Sequence, residues 1–101
     1  MKNNIKMKKA QELKLIEGIF SPKEALEILI SLYTNKIKFH ELKNFSSLER
    51  FGKEDKIATK RIPQLKKSLE KISKLMDGAT KKQEKLIVKS IVNISFVASK
   101  K

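Results

Sequence analysis

The spacing of apolar residues changes along the chain, and each change predicts a different structural element. From Leu13 to Phe20 the apolar positions fit neither the helical nor the strand period cleanly, and we predict a short strand there. Ser21-Pro22-Lys23-Glu24 then places a capping hydroxyl, a proline at the first helical position and a glutamate at the third. A helix is therefore predicted to start at Pro22. Its apolar arc is wide, which makes it the central core element.

The middle of the chain permits two structures. Beyond Asn35 the helix either breaks or continues for two or three turns, and we favour continuation because nothing obliges a break. From Phe45 to Gly52, small polar residues lie between aromatics and end on a glycine, a composition that predicts an ordered loop. Its aromatic residues either cap the core or contribute to a binding surface. The candidate binding loop has these polar residues: His40, Lys43, Asn44 and Arg50.

A second helix and a second strand are predicted in the rest of the chain. A narrow apolar seam from Glu54 to Asp77 predicts the helix, with a kink or a separate short helix before Pro63 and an end at Gly78. Branched residues dominate Leu86 to Val97 and predict a strand. The backbone of that strand needs a partner, which is the first predicted strand, a bend in the strand itself, or its copy in a second chain.

These elements predict an α+β fold: two long antiparallel helices packed on a small antiparallel sheet with a long C-terminal strand. The alternative is an all-α helical hairpin or three-helix bundle, with the C-terminal segment helical. Residues 1–12 carry many lysines and few large apolar groups, so we expect a flexible basic arm, followed by a single domain over residues 13–101. The first helix is apolar over more of its surface than these partners cover, which predicts a homodimer.

Charge adds a second candidate function. The chain of 101 residues has 24 basic and 11 acidic residues, a formal net charge of +13, and such a field attracts phosphate polymers. Only Arg50 and Arg61 are arginines, the residue type that reads bases, and lysine excess is also typical of AT-rich genomes. Nucleic-acid binding is thus possible but not favoured. It would use these residues as phosphate contacts: Lys60, Arg61, Lys66, Lys67, Lys71 and Lys74.

Several kinds of chemistry lack their usual residues. The chain has no cysteine and one histidine, so we expect no metal site, no cofactor and no disulfide scaffold. The three glycines lie far apart, so no phosphate-binding loop is predicted. No apolar run reaches the length of a membrane span, and we expect a cytoplasmic protein that does not bind membranes. One enzymatic alternative is kept, a composite site of His40, Glu41 and Arg50 at a dimer interface.

The sequence therefore predicts a small, basic, non-enzymatic interaction or scaffold protein with no catalytic residues. We expect it to dimerise through its apolar helix and C-terminal strand, or to seat a partner protein on them. The alternative is a nucleic-acid-associated protein that contacts phosphates through a lysine-rich helix face.

Overall fold

The structure, a computed structural model, describes residues 10–98. Its elements follow the order β1 (Gln11–Phe20), α1 (Pro22–Phe51), α2 (Lys56–Lys82) and β2 (Leu86–Ile94). The α+β prediction is confirmed, and the all-α alternatives are wrong because both end segments are strands. Most of the predicted basic arm lies outside the described residues. Since β1 begins at Gln11, the last two residues assigned to that arm belong to a strand.

The start of α1 is fixed by the residues that predicted it. The backbone N–H of Glu24 donates to Oγ of Ser21 at 3.2 Å, and the backbone N–H of Ser21 donates to Oε1 of Glu24 at 3.1 Å. This reciprocal capping box satisfies the helix terminus, and Pro22 occupies a position where no backbone donor is needed.

The loop predicted over residues 45–52 is wrong, because α1 stays helical to Phe51. Among the small polar residues, Ser47 donates from its hydroxyl to the carbonyl of Lys53 at 2.7 Å, beyond the helix end, and so does not compete for the backbone groups of α1. Gly52 then adopts a left-handed conformation with φ of 67°, and its N–H donates to the carbonyl of Leu48 at 3.0 Å. The glycine thus ends α1.

The separate short helix predicted before Pro63 is wrong, because α2 runs continuously through that residue, and the alternative of a kink there stays a prediction. The end predicted at Gly78 is also wrong, because the helix continues to Lys82, where Gln83 takes the left-handed terminal conformation with φ of 57°. The added turn is supported by burial of Ala79 and by a 2.9 Å hydrogen bond from the Thr80 hydroxyl to the carbonyl of Met76. Lysines in this last turn also interact favourably with the helix dipole.

The two helices form an antiparallel hairpin. At one end, the backbone N–H of Asp55 donates to Oδ1 of Asn44 at 2.7 Å. At the other end, Pro22 and Leu26 line the same shallow depression as Met76. The buried residues of the two helices are three alanines and four larger side chains: Ala25, Ile37, His40, Ala58, Leu65, Met76 and Ala79.

Within residues 10–98, β1 and β2 form a two-stranded antiparallel sheet. The C-terminal strand therefore pairs with the first predicted strand and needs no second chain to satisfy its backbone on that edge. Along β2 burial alternates from Leu86 to Ser90, and from Ile91 both faces are exposed. The contacts divide the chain into one unit that contains most of the sheet and one, Phe20–Leu86, that contains the hairpin. A single domain over residues 13–101 stays a prediction.

Candidate functional site

The four residues of the predicted binding loop lie on α1 and do not converge. His40 is buried, and Asn44 is partly buried, with its amide oxygen accepting the hydrogen bond from the backbone of Asp55. Lys43 and Arg50 are exposed. His40 and Asn44 therefore lie inside the hairpin. Of the four residues, Lys43 and Arg50 are accessible to a partner.

His40 has an unusual environment for a polar side chain. It is 6% exposed, its ring makes an edge contact with Phe39 at 5.4 Å between centroids, and its Nε2 atom has no hydrogen-bond partner among residues 10–98. Between residues 10 and 98, no cluster of three or more histidine or acidic side chains is arranged to hold a metal ion. His40 is best described as a buried core residue of α1.

The most distinctive surface of α1 is an exposed stripe of residues spaced by four, three, four and three positions. We call it the α1 seam, and its members are Ile28, Leu32, Asn35, Phe39 and Leu42. At about 100° per residue, it is centred about 120° around the helix from the buried residues of α1. Ile28 is half-buried and the others are exposed, with Leu42 at 64%. This spacing is typical of a helix that packs against a further helix.

Charges on the two sides of the α1 seam change along the helix. Glu24 and Glu27 lie beside its N-terminal half, whereas Lys36, Lys38 and Lys43 lie beside its C-terminal half. All five side chains are exposed. Nζ of Lys36 lies 4.8 Å from the centre of the ring in the seam's phenylalanine, and Nζ of Lys43 lies 5.8 Å from it. The seam is therefore an apolar surface with an acidic end and a basic end.

The predicted phosphate contacts on α2 are all exposed, but they do not share one face. Arg61 donates from Nη1 to Oε1 of Gln64 at 2.6 Å, and Lys66 lies on another side of the helix. The remaining four align with a further lysine within about 60° of arc, on the side opposite the buried residues. This basic ridge spans about 27 Å of helix and consists of Lys56, Lys60, Lys67, Lys71 and Lys74.

A large share of the apolar surface is accessible to solvent. Within residues 10–98 no large side chain is completely buried. Exposed apolar residues occur on α1 and in both strands, where they include Leu13, Leu15, Ile19, Ile87 and Ile91. These exposed apolar side chains are too numerous to be the single scattered residues that are normal on a protein surface.

None of the helices between residues 10 and 98 combines the length and the apolar character needed to cross a bilayer. No family model matches the chain, and no curated protein or solved structure matches it. The function is therefore argued from the chain's own surfaces.

The spacing of the α1 seam is present in the sequence, but the sequence alone does not distinguish the seam as a separate surface. Apolar residues occupy so much of the circumference of α1 that the stripe facing α2 is indistinguishable from the stripe facing solvent. Only the pairing of the two helices separates them.

Proposed function

We propose that this protein is a non-enzymatic interaction protein that assembles as a homodimer through the apolar faces of α1 and β2. The supporting observation is the incomplete core: no large side chain in residues 10–98 is completely buried, while Phe39 and Leu42 on α1 and Ile87 and Ile91 on β2 are exposed. A second copy that covered these residues would remove them from water and stabilise the fold.

Sedimentation equilibrium of the full chain over a wide range of protein concentration tests this proposal. A species of twice the 11.6 kDa chain mass is expected at micromolar concentration. A protein that stays monomeric at every concentration would refute the homodimer. The absence of catalytic activity and the cytoplasmic location also stay predictions.

A second candidate function, association with nucleic acid, is favoured by the basic ridge. Its five lysines lie on one side of α2 and are all exposed, an arrangement suited to phosphates and not to base edges. Fluorescence anisotropy with labelled duplex DNA, single-stranded DNA and RNA at about 50 and about 200 mM salt tests it. Sub-micromolar binding at the higher salt would support this function. Loss of binding there would assign the ridge to solvation.

A further inference from the structure

We propose that the basic ridge of α2 binds double-stranded DNA without sequence preference, lying across the major groove with its lysines on both phosphate backbones. The inference rests on the proposed association with nucleic acid, and it specifies the form of the polymer and where the ridge lies on it. It is carried by the charges near the ridge, by the residue types that α2 contains and by the spacing of the lysines.

The charge of the ridge is not neutralised by neighbouring acidic residues. α2 contains two acidic residues, Glu70 and Asp77, and both lie outside the arc of the ridge, on the same side of it. Asp77 pairs with Lys81, and none of the five ridge lysines forms a salt bridge with an acidic residue in the range 10–98. Lysines three or four positions apart on a helix repel one another. Phosphates bound along the ridge would remove that repulsion.

The residue types on α2 favour a duplex over a single strand. Aromatic side chains stack the unpaired bases of single strands, and α2 contains no aromatic residue. Its one arginine, Arg61, lies outside the ridge and donates to Gln64. The ridge therefore contacts phosphates through lysines, which act as point charges and carry no sequence information. A duplex also presents about twice as many phosphates per unit length as one of its strands.

The spacing of the lysines matches two backbones with a groove between them. The ridge consists of two groups, a first one of Lys56 and Lys60 and a second one of Lys67, Lys71 and Lys74. About 10 Å of helix separates the groups, and Pro63 and Gln64, both exposed and uncharged, lie on that side of the interval. The major groove of B-form DNA is about 12 Å wide, with a phosphate backbone on each side. Each group can therefore contact one backbone. In A-form RNA the major groove is narrow, so the match is to DNA.

Fluorescence anisotropy of the full chain tests the form of the polymer. The labelled probes are two DNA duplexes of unrelated sequence, a single strand from one of them, and an RNA duplex. Equal affinity for the two DNA duplexes is expected, with the single strand and the RNA duplex bound at least about tenfold more weakly. With five lysines on phosphates, the logarithm of the affinity for duplex DNA should fall against the logarithm of salt concentration with a slope of about −4.5.

Two double variants test the position of the ridge on the groove. Lys56→Gln with Lys60→Gln removes the first group. Lys23→Gln with Lys66→Gln is the matched control, because it removes two charges from exposed positions outside the ridge. The first variant should make the salt dependence shallower by about 1.8 and abolish the preference for the duplex, because one backbone is no longer contacted. The control should keep both properties, and circular dichroism verifies the helix content of each variant.

The outcomes separate this inference from the proposed function. If the single strand or the RNA duplex binds as tightly as duplex DNA, if one DNA sequence is preferred, or if the two double variants lose affinity equally, the bridged duplex is wrong and the nucleic-acid association stands. If no probe is bound at about 200 mM salt, the association is wrong as well.

Discussion

Asn44 and Asp55 join the two helices across the turn of the hairpin. The backbone N–H of Asp55 donates to Oδ1 of Asn44 at 2.7 Å, and the carboxylate of the same Asp55 accepts a 2.9 Å hydrogen bond from the backbone of Ala58. Asp55 thus caps α2 with its side chain while its backbone is held by α1. The hydrogen bond to Asn44 therefore links the N-terminus of α2 to α1.

Replacing Asn44 with alanine should destabilise the protein by about 1 kcal/mol. A partly buried N–H loses its acceptor, which costs about 1–2 kcal/mol, and the better helix propensity of alanine returns part of it. Urea denaturation followed by circular dichroism measures the change. Asn44→Asp is the control, because it keeps an oxygen acceptor at the same place. An unchanged midpoint for Asn44→Ala would show that this hydrogen bond contributes nothing.

Alanine substitutions at two glycines should have opposite effects. Gly52 has φ of 67° and Gly78 lies inside α2 without a positive φ, while an added Cβ meets no atom within 4 Å at either site. Gly52→Ala should cost about 1 kcal/mol, because left-handed backbone is unfavourable for alanine. Gly78→Ala should stabilise the protein by about 0.5–1 kcal/mol through helix propensity.

Thermal denaturation of the two glycine variants and the parent protein measures both changes in stability. Asn tolerates the left-handed region better than alanine, so Gly52→Asn should fall between the parent and Gly52→Ala. Shifts of the same sign at both glycines would contradict the assignment of Gly52 as the helix end.

The helix ends show what the sequence can and cannot predict. The start of α1 depends on atoms within four residues, Ser21 to Glu24, and was predicted correctly. The end of α2 depends on distant residues, because continuing past Gly78 lets Ala79 become buried. A glycine permits a helix to end without requiring it. Predicting that end would have needed the alignment of α2 with α1.

The alignment of α1 with α2 also explains why the predicted binding loop differs from the structure. The density of polar and aromatic residues near His40 and Asn44 predicts a binding loop that contains both. Their roles follow from which side of α1 faces α2, and that is a tertiary property. The exposure of the basic residues on α2 was easier to anticipate, because most of them lie opposite a narrow apolar seam whose direction is unambiguous.

Replacing His40 with leucine should stabilise the fold by about 1 kcal/mol. The side chain is 6% exposed and its Nε2 has no partner in the described part of the chain, and a buried polar group without a partner costs about 1–3 kcal/mol. Chemical denaturation measures the gain. His40→Ala is the comparison, since it also removes the polar group but leaves a cavity and should destabilise. Loss of stability in the leucine variant would mean that the imidazole has a necessary partner.

Reversing the charge of Lys71 should stabilise the protein at low salt. Lys71 lies four residues after Lys67 and three before Lys74, so it takes part in two like-charge pairs on the exposed ridge. Lys71→Glu converts both into opposite-charge pairs, with an expected gain of about 1 kcal/mol. Lys85→Glu is the control, because it changes the net charge equally at an exposed position between α2 and β2, where it takes part in no helical charge pair. If the ridge lysines repel one another, Lys71→Glu should raise the melting temperature more than the control does. About 1 M salt should abolish this difference. Equal shifts would indicate that net charge, and not the local pairs, governs stability.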